Sequence, residues 1–223
     1  MKLKTLSKSN SYLFCLIIVF ALLSACTNKK ILYYENGNKK SEFSYKNGIF
    51  DGEAKWWYEN GKIKMLANYK DNKLHGITTR WNEVGYKESE ENYENNLQNG
   101  TSIYWDKRGN KVTEKFFRND TLEGSYFAWF EDGRLKVEGN YKNGMFDGRW
   151  LYYNPQGNIV GIGDFKNGCG KQKAYYPNSK IKIEVNYVDN LKHGKETWWD
   201  ENGNITNINK YEFGEIKNKG NLN

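Results

Sequence analysis

The 223-residue chain carries 34 Lys and Arg against 27 Asp and Glu, a formal net charge of +7, with 38% hydrophobic and 16% aromatic residues. Eight Trp, 17 Tyr and 11 Phe exclude a disordered chain, because disorder goes with few aromatics. With 22 Gly and only 2 Pro, the composition suits thin, turn-rich β-structure rather than a thick aliphatic core.

In chain order, the first element is a leader. Lys2, Lys4 and Lys8 precede the apolar run Tyr12–Leu23, which is too short to span a bilayer and has the layout of an export signal. The following Leu23-Ser24-Ala25-Cys26 resembles the lipobox of bacterial lipoproteins. That resemblance implies lipidation of Cys26, cleavage before it and N-acylation of the new terminus. Two or three acyl chains would hold the mature protein stably on a membrane. Thr27 in place of Asp at the second mature position points to the outer membrane in a Gram-negative host. The expected layout is a signal peptide over residues 1–25, a lipidated Cys26 with a short tether over 26–30, a repeat array over 31–216 and a flexible tail over 217–223. Without the signal, 31 basic residues face 27 acidic ones, a net charge of +4. With no block of five or more Lys/Arg, the charge marks no nucleic-acid partner. Of three cysteines, Cys15 leaves with the signal and Cys26 is acylated, so Cys169 has no intramolecular disulfide partner.

The remaining chain repeats itself. The dipeptides Asn36-Gly37, Asn60-Gly61, Val84-Gly85, Arg108-Gly109, Asp132-Gly133, Gln156-Gly157, Asn178-Ser179 and Asn202-Gly203 recur every 24 residues, with one interval of 22. A second glycine row, Gly52, Gly76, Gly100, Gly124, Gly148, Gly170 and Gly194, keeps the same intervals. Such self-similarity predicts a repeat architecture. Asn-Gly between β-rich runs signals a tight hairpin turn, so Asn60-Gly61 and its counterparts are read as tight turns. Lys46–Gly52 and its counterparts are read as longer ones. Two strands per unit then give an all-β, elongated antiparallel hairpin array of seven units and a leading half-unit. The shortened unit, around Gly168-Cys169-Gly170, is expected to lack two residues of a loop.

Two rows are aromatic in every unit: Tyr33, Trp57, Trp81, Trp105, Trp129, Tyr153, Tyr175 and Trp199, and Tyr45, Tyr69, Tyr93, Phe117, Tyr141, Phe165, Tyr187 and Tyr211. These sixteen are predicted to interdigitate as a structural spine in place of a two-layer core. Trp56, Tyr58, Tyr104, Phe130, Tyr152, Tyr176 and Trp198 neighbour the first row. Since adjacent strand residues face opposite sides, they are the candidate contact surface. His75 and His193 occupy a register that also accepts Asp, Asn and Glu, which makes it a polar turn position. Glu42, Glu90, Glu114, Glu138 and Glu184 recur a hairpin apart and read as a mixed-charge face. No catalytic, cofactor or metal site is predicted.

The unit Tyr141-Lys142-Asn143-Gly144-Met145-Phe146-Asp147-Gly148, followed by Tyr152-Tyr153-Asn154-Pro155-Gln156-Gly157, resembles the bacterial variant of the MORN repeat. Tyr45–Gly61, Tyr69–Gly85 and Tyr187–Gly203 fit the same pattern. Such arrays are also similar to YwqK-type proteins, labelled antitoxin components. The resemblance implies a hairpin sheet without enzymatic activity that binds proteins, a toxin among them, or membranes. The expectation is therefore a lipid-anchored interaction module of the cell envelope. The alternative is a cell-wall or carbohydrate binder built on aromatic repeats.

Overall fold

The computed structural model describes residues 27–221; the signal segment 1–25 and Cys26 lie outside them. Among the described residues there are eighteen strands and no helix. β1 (Thr27–Tyr33), β2 (Lys39–Lys46), β3 (Ile49–Trp57) and β4 (Ile63–Lys70) open the sheet. β5 (Lys73–Leu74) and β6 (Gly76–Trp81) are one strand interrupted at His75. β7 (Lys87–Glu94), β8 (Leu97–Trp105), β9 (Lys111–Arg118), β10 (Thr121–Trp129), β11 (Leu135–Lys142) and β12 (Met145–Tyr153) form its middle. β13 (Ile159–Lys166), β14 (Cys169–Tyr175), β15 (Ile181–Val188), β16 (Leu191–Trp199), β17 (Ile205–Glu212) and β18 (Glu215–Asn221) complete it. With β5 and β6 taken as one strand, each strand pairs antiparallel with the next in sequence, and β4 pairs with both β5 and β6. β1 pairs with β2 and β18 with β17, so the meander ends in two edges.

Both ends of the sheet differ from the expected layout. β1 already starts at Thr27 and pairs Lys30 with Phe43, so residues 27–30 are strand rather than tether. β18 pairs Lys219 with Asn209, so most of the expected tail is strand too. In each case a polar segment follows or precedes a complete hairpin and finds a free edge to bond.

The two kinds of turn are the reverse of the sequence reading. The tight connections are Asn47-Gly48, Asp71-Asn72, Asn95-Asn96, Asn119-Asp120, Asn143-Gly144, Asn167-Gly168, Asp189-Asn190 and Phe213-Gly214. Both residues of each have positive φ, as Asn47 at 52° and Gly48 at 81°, the requirement of a two-residue hairpin turn that follows the sheet twist. Asn60-Gly61 instead belongs to a longer loop, Tyr58–Lys62, in which Gly61 N–H donates to Tyr58 O at 2.9 Å and Tyr58 N–H to Lys62 O at 2.8 Å. Only Gly61 there is left-handed. Asn and Asp tolerate that conformation best after Gly, which lets the tight turns do without glycine while the longer loops keep it.

The second glycine row is not in a turn at all. Gly52 (φ 101°), Gly100 (112°) and Gly124 (77°) sit inside strands, where the register with the preceding strand slips: between Phe43 and Tyr45, Glu91 and Tyr93, and Leu122 and Tyr126. These are β-bulges, which left-handed glycines commonly form. The shortened unit lacks the bulge. β13 and β14 pair without a break from Gly161↔Ala174 to Lys166↔Cys169, so the two missing residues come out of a strand, not a loop.

Phe213 occupies, at φ 43°, a turn position that Asn or Asp holds in every other unit. A bulky residue there is strained. Phe213→Asn is expected to raise stability by about 1 kcal/mol, measurable as a higher midpoint for C-terminal unfolding.

Residues directly opposite on paired strands share a face, which divides the side chains into two sets. One face carries the buried row: Ala54 and Ala67 (both fully buried), Thr78, Glu91, Ser102, Trp150, Val185 and Glu196. The second predicted aromatic row lies beside it, joined by residues not foreseen. Phe50 packs against Tyr45 and Tyr69, and Phe146 against Tyr141, Trp150, Phe165 and Tyr187, with ring centres 4.8–6.3 Å apart. Glycine makes the room: a Cβ on Gly139 would stand 2.1 Å from the Trp150 ring, and one on Gly163 2.3 Å from Phe165.

Candidate interaction surfaces

The two predicted aromatic rows do not interdigitate, because they lie on opposite faces. Trp57, Trp105 and Trp129 share theirs with the glutamate register. Lys39 Nζ bonds Glu42 at 2.8 Å and lies 5.5 Å from the centre of the Trp57 ring. Lys87 repeats this with Glu90 and Trp105, and Lys111 with Glu114 and Trp129. Tyr153 donates its hydroxyl to Glu138 at 2.5 Å, and Glu184 pairs with Lys171 and Lys173. This is a mixed-charge face on which Lys39, Lys87 and Lys111 each serve a carboxylate and the ring one unit ahead. Trp81, Tyr175 and Trp199 have aliphatic Ile63, Ile159 and Ile181 in the lysine register instead, while Tyr33 is 58% exposed beside the β1 edge. Hydrogen bonds from Lys29 and Lys39 hold the Glu42 carboxyl down at about 2.

The seven candidate contact residues fall into two groups. Trp56, Tyr104, Tyr152 and Trp198 stand opposite Met65, Thr113, Val137 and Ile183, on the face of the buried row. They point away from Trp57 and its counterparts but towards the second aromatic row, because the odd-length loop inverts side-chain alternation between the two. All four are half-buried, and burial pushes the Tyr152 hydroxyl far above its ordinary range. Tyr58, Phe130 and Tyr176 enter the longer loops instead.

Those loops come in two chemical kinds, a distinction that sequence reading missed. Where the entry residue is Asn or Asp (Asn82, Asp106, Asn154, Asp200), its own side chain caps the loop, as Asp106 Oδ1 does for the amides of Arg108 and Asn110 at 2.8 and 2.9 Å. Where it is aromatic (Tyr34, Tyr58, Phe130, Tyr176), the cap comes from two residues on, as Asn60 Oδ1 accepts from Lys62 N at 3.0 Å. The aromatic side chain is then free to reach the next unit: Tyr34, Tyr58 and Tyr176 each donate a hydroxyl bond of 2.8 Å, to Trp57 O, Trp81 O and Trp199 O. Six residues after each aromatic stands a lysine over its ring, Lys40, Lys64, Lys136 and Lys182, 5.3–5.6 Å from the ring centre. The capped loops have Glu88, Val112, Val160 and Thr206 at that position. This covariation between units was the readable signal.

The opposite edge is laced by the tight turns. Asn72 N donates to Phe50 O at 2.9 Å while its Oδ1 accepts from Phe50 N at 2.7 Å, and Asn96 and Asp120 repeat the exchange one and two units on. At the shortened unit Asn190 reaches past its neighbour, 44 residues back, to accept from Phe146 N at 2.8 Å and donate to Gly144 O at 2.9 Å.

Two carboxylates lie on the buried face. Glu91 accepts from Arg80 and from Tyr93 OH. Glu196, 2% exposed, accepts from Lys192 at 2.5 Å, Asn209 at 2.8 Å and Trp198 Nε1 at 3.3 Å. Burial alone would raise the Glu196 carboxyl, but these bonds outweigh it and hold the group below its ordinary range. His75 and His193 lie at the bulges, far apart, and Cys169 is exposed and unpaired. Among the described residues no cluster of His, Cys, Asp or Glu is arranged to hold a metal ion.

An open sheet of hairpins, each bonded to its neighbours along both edges, defines a β-repeat array. The family model described as the MORN repeat variant matches residues 28–47, 50–71, 122–143, 146–167, 169–189 and 192–212. Together these span more than half of the chain, which therefore belongs to the MORN repeat variant family. Each match covers two strands and the longer loop between them. No curated protein matches the chain. MORN repeats are generally protein- or membrane-interaction modules.

Proposed function

We propose that the chain is a non-enzymatic repeat lipoprotein of the bacterial cell envelope that acts as a protein-interaction scaffold. The observation that carries the reading is the array itself. A single sheet built from local contacts leaves the face of Trp57, Trp105 and Trp129 covered by no second layer among the described residues, and such arrays present extended binding surfaces. The leader supports the placement, with Lys2, Lys4 and Lys8, the apolar run Tyr12–Leu23 and the lipobox-like Leu23–Cys26. A partner on the same membrane surface, an exported toxin among the candidates, fits both features and the YwqK-type resemblance.

The anchor has a direct test. Cys26→Ser is expected to move the protein from the membrane fraction to the soluble fraction, and unchanged fractionation would refute lipidation. The scaffold reading is tested separately with the fragment 27–223, which lacks the lipidated Cys26, mixed with polymeric peptidoglycan. No saturable retention is expected, and retention competed by free sugar would overturn it in favour of a cell-wall binder.

A further inference from the structure

Aromatic-entry loops follow one another directly only at the start of the array, where Tyr34 and Tyr58 stand in consecutive units. Between them the structure forms a cleft of about 370 Å³, walled by the two tyrosines, Trp56 and Met65, with Lys40 and Lys64 at its sides. The other two clasps, Phe130 with Lys136 and Tyr176 with Lys182, each adjoin capped loops. The cleft is thus a product of two neighbouring clasps.

Its charge is uncompensated on one side. Lys29, Lys39, Lys87 and Lys111 all pair with glutamates, whereas Lys40 and Lys64 have no ion-pair partner among the described residues. Arg80, also on the lining, is taken by Glu91. Glu88 is the one carboxylate on the lining. The ammonium groups lie 5.5 and 5.3 Å from the centres of the Tyr34 and Tyr58 rings, and Trp56 meets Phe43 edge-on at 5.2 Å. One face of each tyrosine ring is therefore taken by a cation, which competes with a sugar ring for stacking there. The same cations repel a quaternary ammonium ligand, which an open aromatic cage would attract.

From this we infer that the cleft docks an acidic peptide segment in which carboxylates flank one apolar side chain, a reading that rests on the scaffold function proposed above. Lys40 and Lys64 lie one unit apart, about 10 Å at two strand spacings. An extended peptide rises about 3.3 Å per residue, so carboxylates three or four residues apart meet both ammonium groups. The side chain between them enters against Trp56 and Met65. Opposite charge across such a contact gives specificity and speeds encounter.

The test uses the fragment 27–223 and the peptide Ser-Glu-Glu-Phe-Glu-Glu-Ser, followed through the Trp56 indole NMR signal. Saturable shifts are expected. They should weaken about tenfold in Lys40→Glu/Lys64→Glu and likewise with rising salt, and stay unchanged in Lys136→Glu/Lys182→Glu. Lys40→Gln/Lys64→Gln, with unaltered far-ultraviolet dichroism, separates lost charge from lost folding. Equal binding by the charge-reversed variant, or by the corresponding Lys peptide, would overturn the proposal. So would a Trp56 signal that moves with polygalacturonate but not with the acidic peptide. Those results would refute the cleft alone, whereas retention on peptidoglycan would refute the scaffold reading beneath it.

Discussion

Trp150→Ala is expected to destabilise the central units by about 3–5 kcal/mol, the range for emptying a buried aromatic site. Trp150 is 3% exposed and meets the rings of Tyr126, Tyr141 and Phe146 at 4.8–5.4 Å. It also donates its indole N–H to Asn140 O at 3.1 Å. Among the described residues no second layer lies behind the sheet to collapse into the void. Because each unit, the bonds of Asn190 apart, touches only its neighbours, stability is close to a sum of unit and interface terms, and a loss this large in the middle divides the array. Chemical unfolding should then change from one transition to two, followed by tryptophan fluorescence. Gly139→Ala reaches the same site from the other side, since its Cβ would overlap the indole, and should give the same division. A single unshifted transition in both variants would show that the ring cluster does not couple the two halves.

The second large effect is expected at Glu196. Glu196→Ala strands Lys192, Asn209 and Trp198 Nε1 on a buried face and should cost about 2–4 kcal/mol. The same group makes the wild-type array acid-sensitive. Its folded carboxyl sits below the unfolded value of about 4.3, so its stabilisation is complete above that value and is lost as pH falls through the folded one. Glu42, held at about 2, adds in the same direction at the first hairpin. Thermal midpoints are therefore expected to be flat from neutral pH to about 5 and to fall steeply below about 4. Glu196→Gln, which keeps the shape, should lower the neutral plateau and flatten the acid slope. An unchanged slope in that variant would remove Glu196 from this account.

The period, the all-β class and the absence of helical patterning were legible because hairpin units must repeat both their turn residues and their aromatics. What misled was the Asn-Gly rule. Asn60-Gly61 looks like a two-residue turn, yet the true two-residue turns read Asp71-Asn72, Asn95-Asn96 and Asn119-Asp120, where Asn and Asp adopt the left-handed conformation without glycine. That error moved the bulge glycines into loops and placed both aromatic rows on one face. Counting alternation through a loop of the wrong length flips every side chain beyond it. Phe50, Phe146 and Trp150 were overlooked because they fill the buried face in only some units. Asn190 could not be read at all, since its bonds cross a whole unit and exist only because β14 lacks its bulge. The Tyr34–Lys40 and Tyr58–Lys64 clasps were available to sequence reading as a covariation between units, which a search for invariant positions passes over.

The locality of the bonds at both edges bears on how such a gene can change. A recombination event that removes the 24 residues 97–120 takes out one strand pair and the bonds between Gln98 and Asp120, and leaves Leu74 on the turn at Asn95-Asn96 and Leu122 on the turn at Asn143-Gly144 as before. The cleft between Tyr34 and Tyr58 lies outside the excised piece, and the sheet shortens by about 10 Å. Reach and recognition can therefore vary independently in descendants of this chain, one by unit gain or loss and the other by point substitution in the first two units.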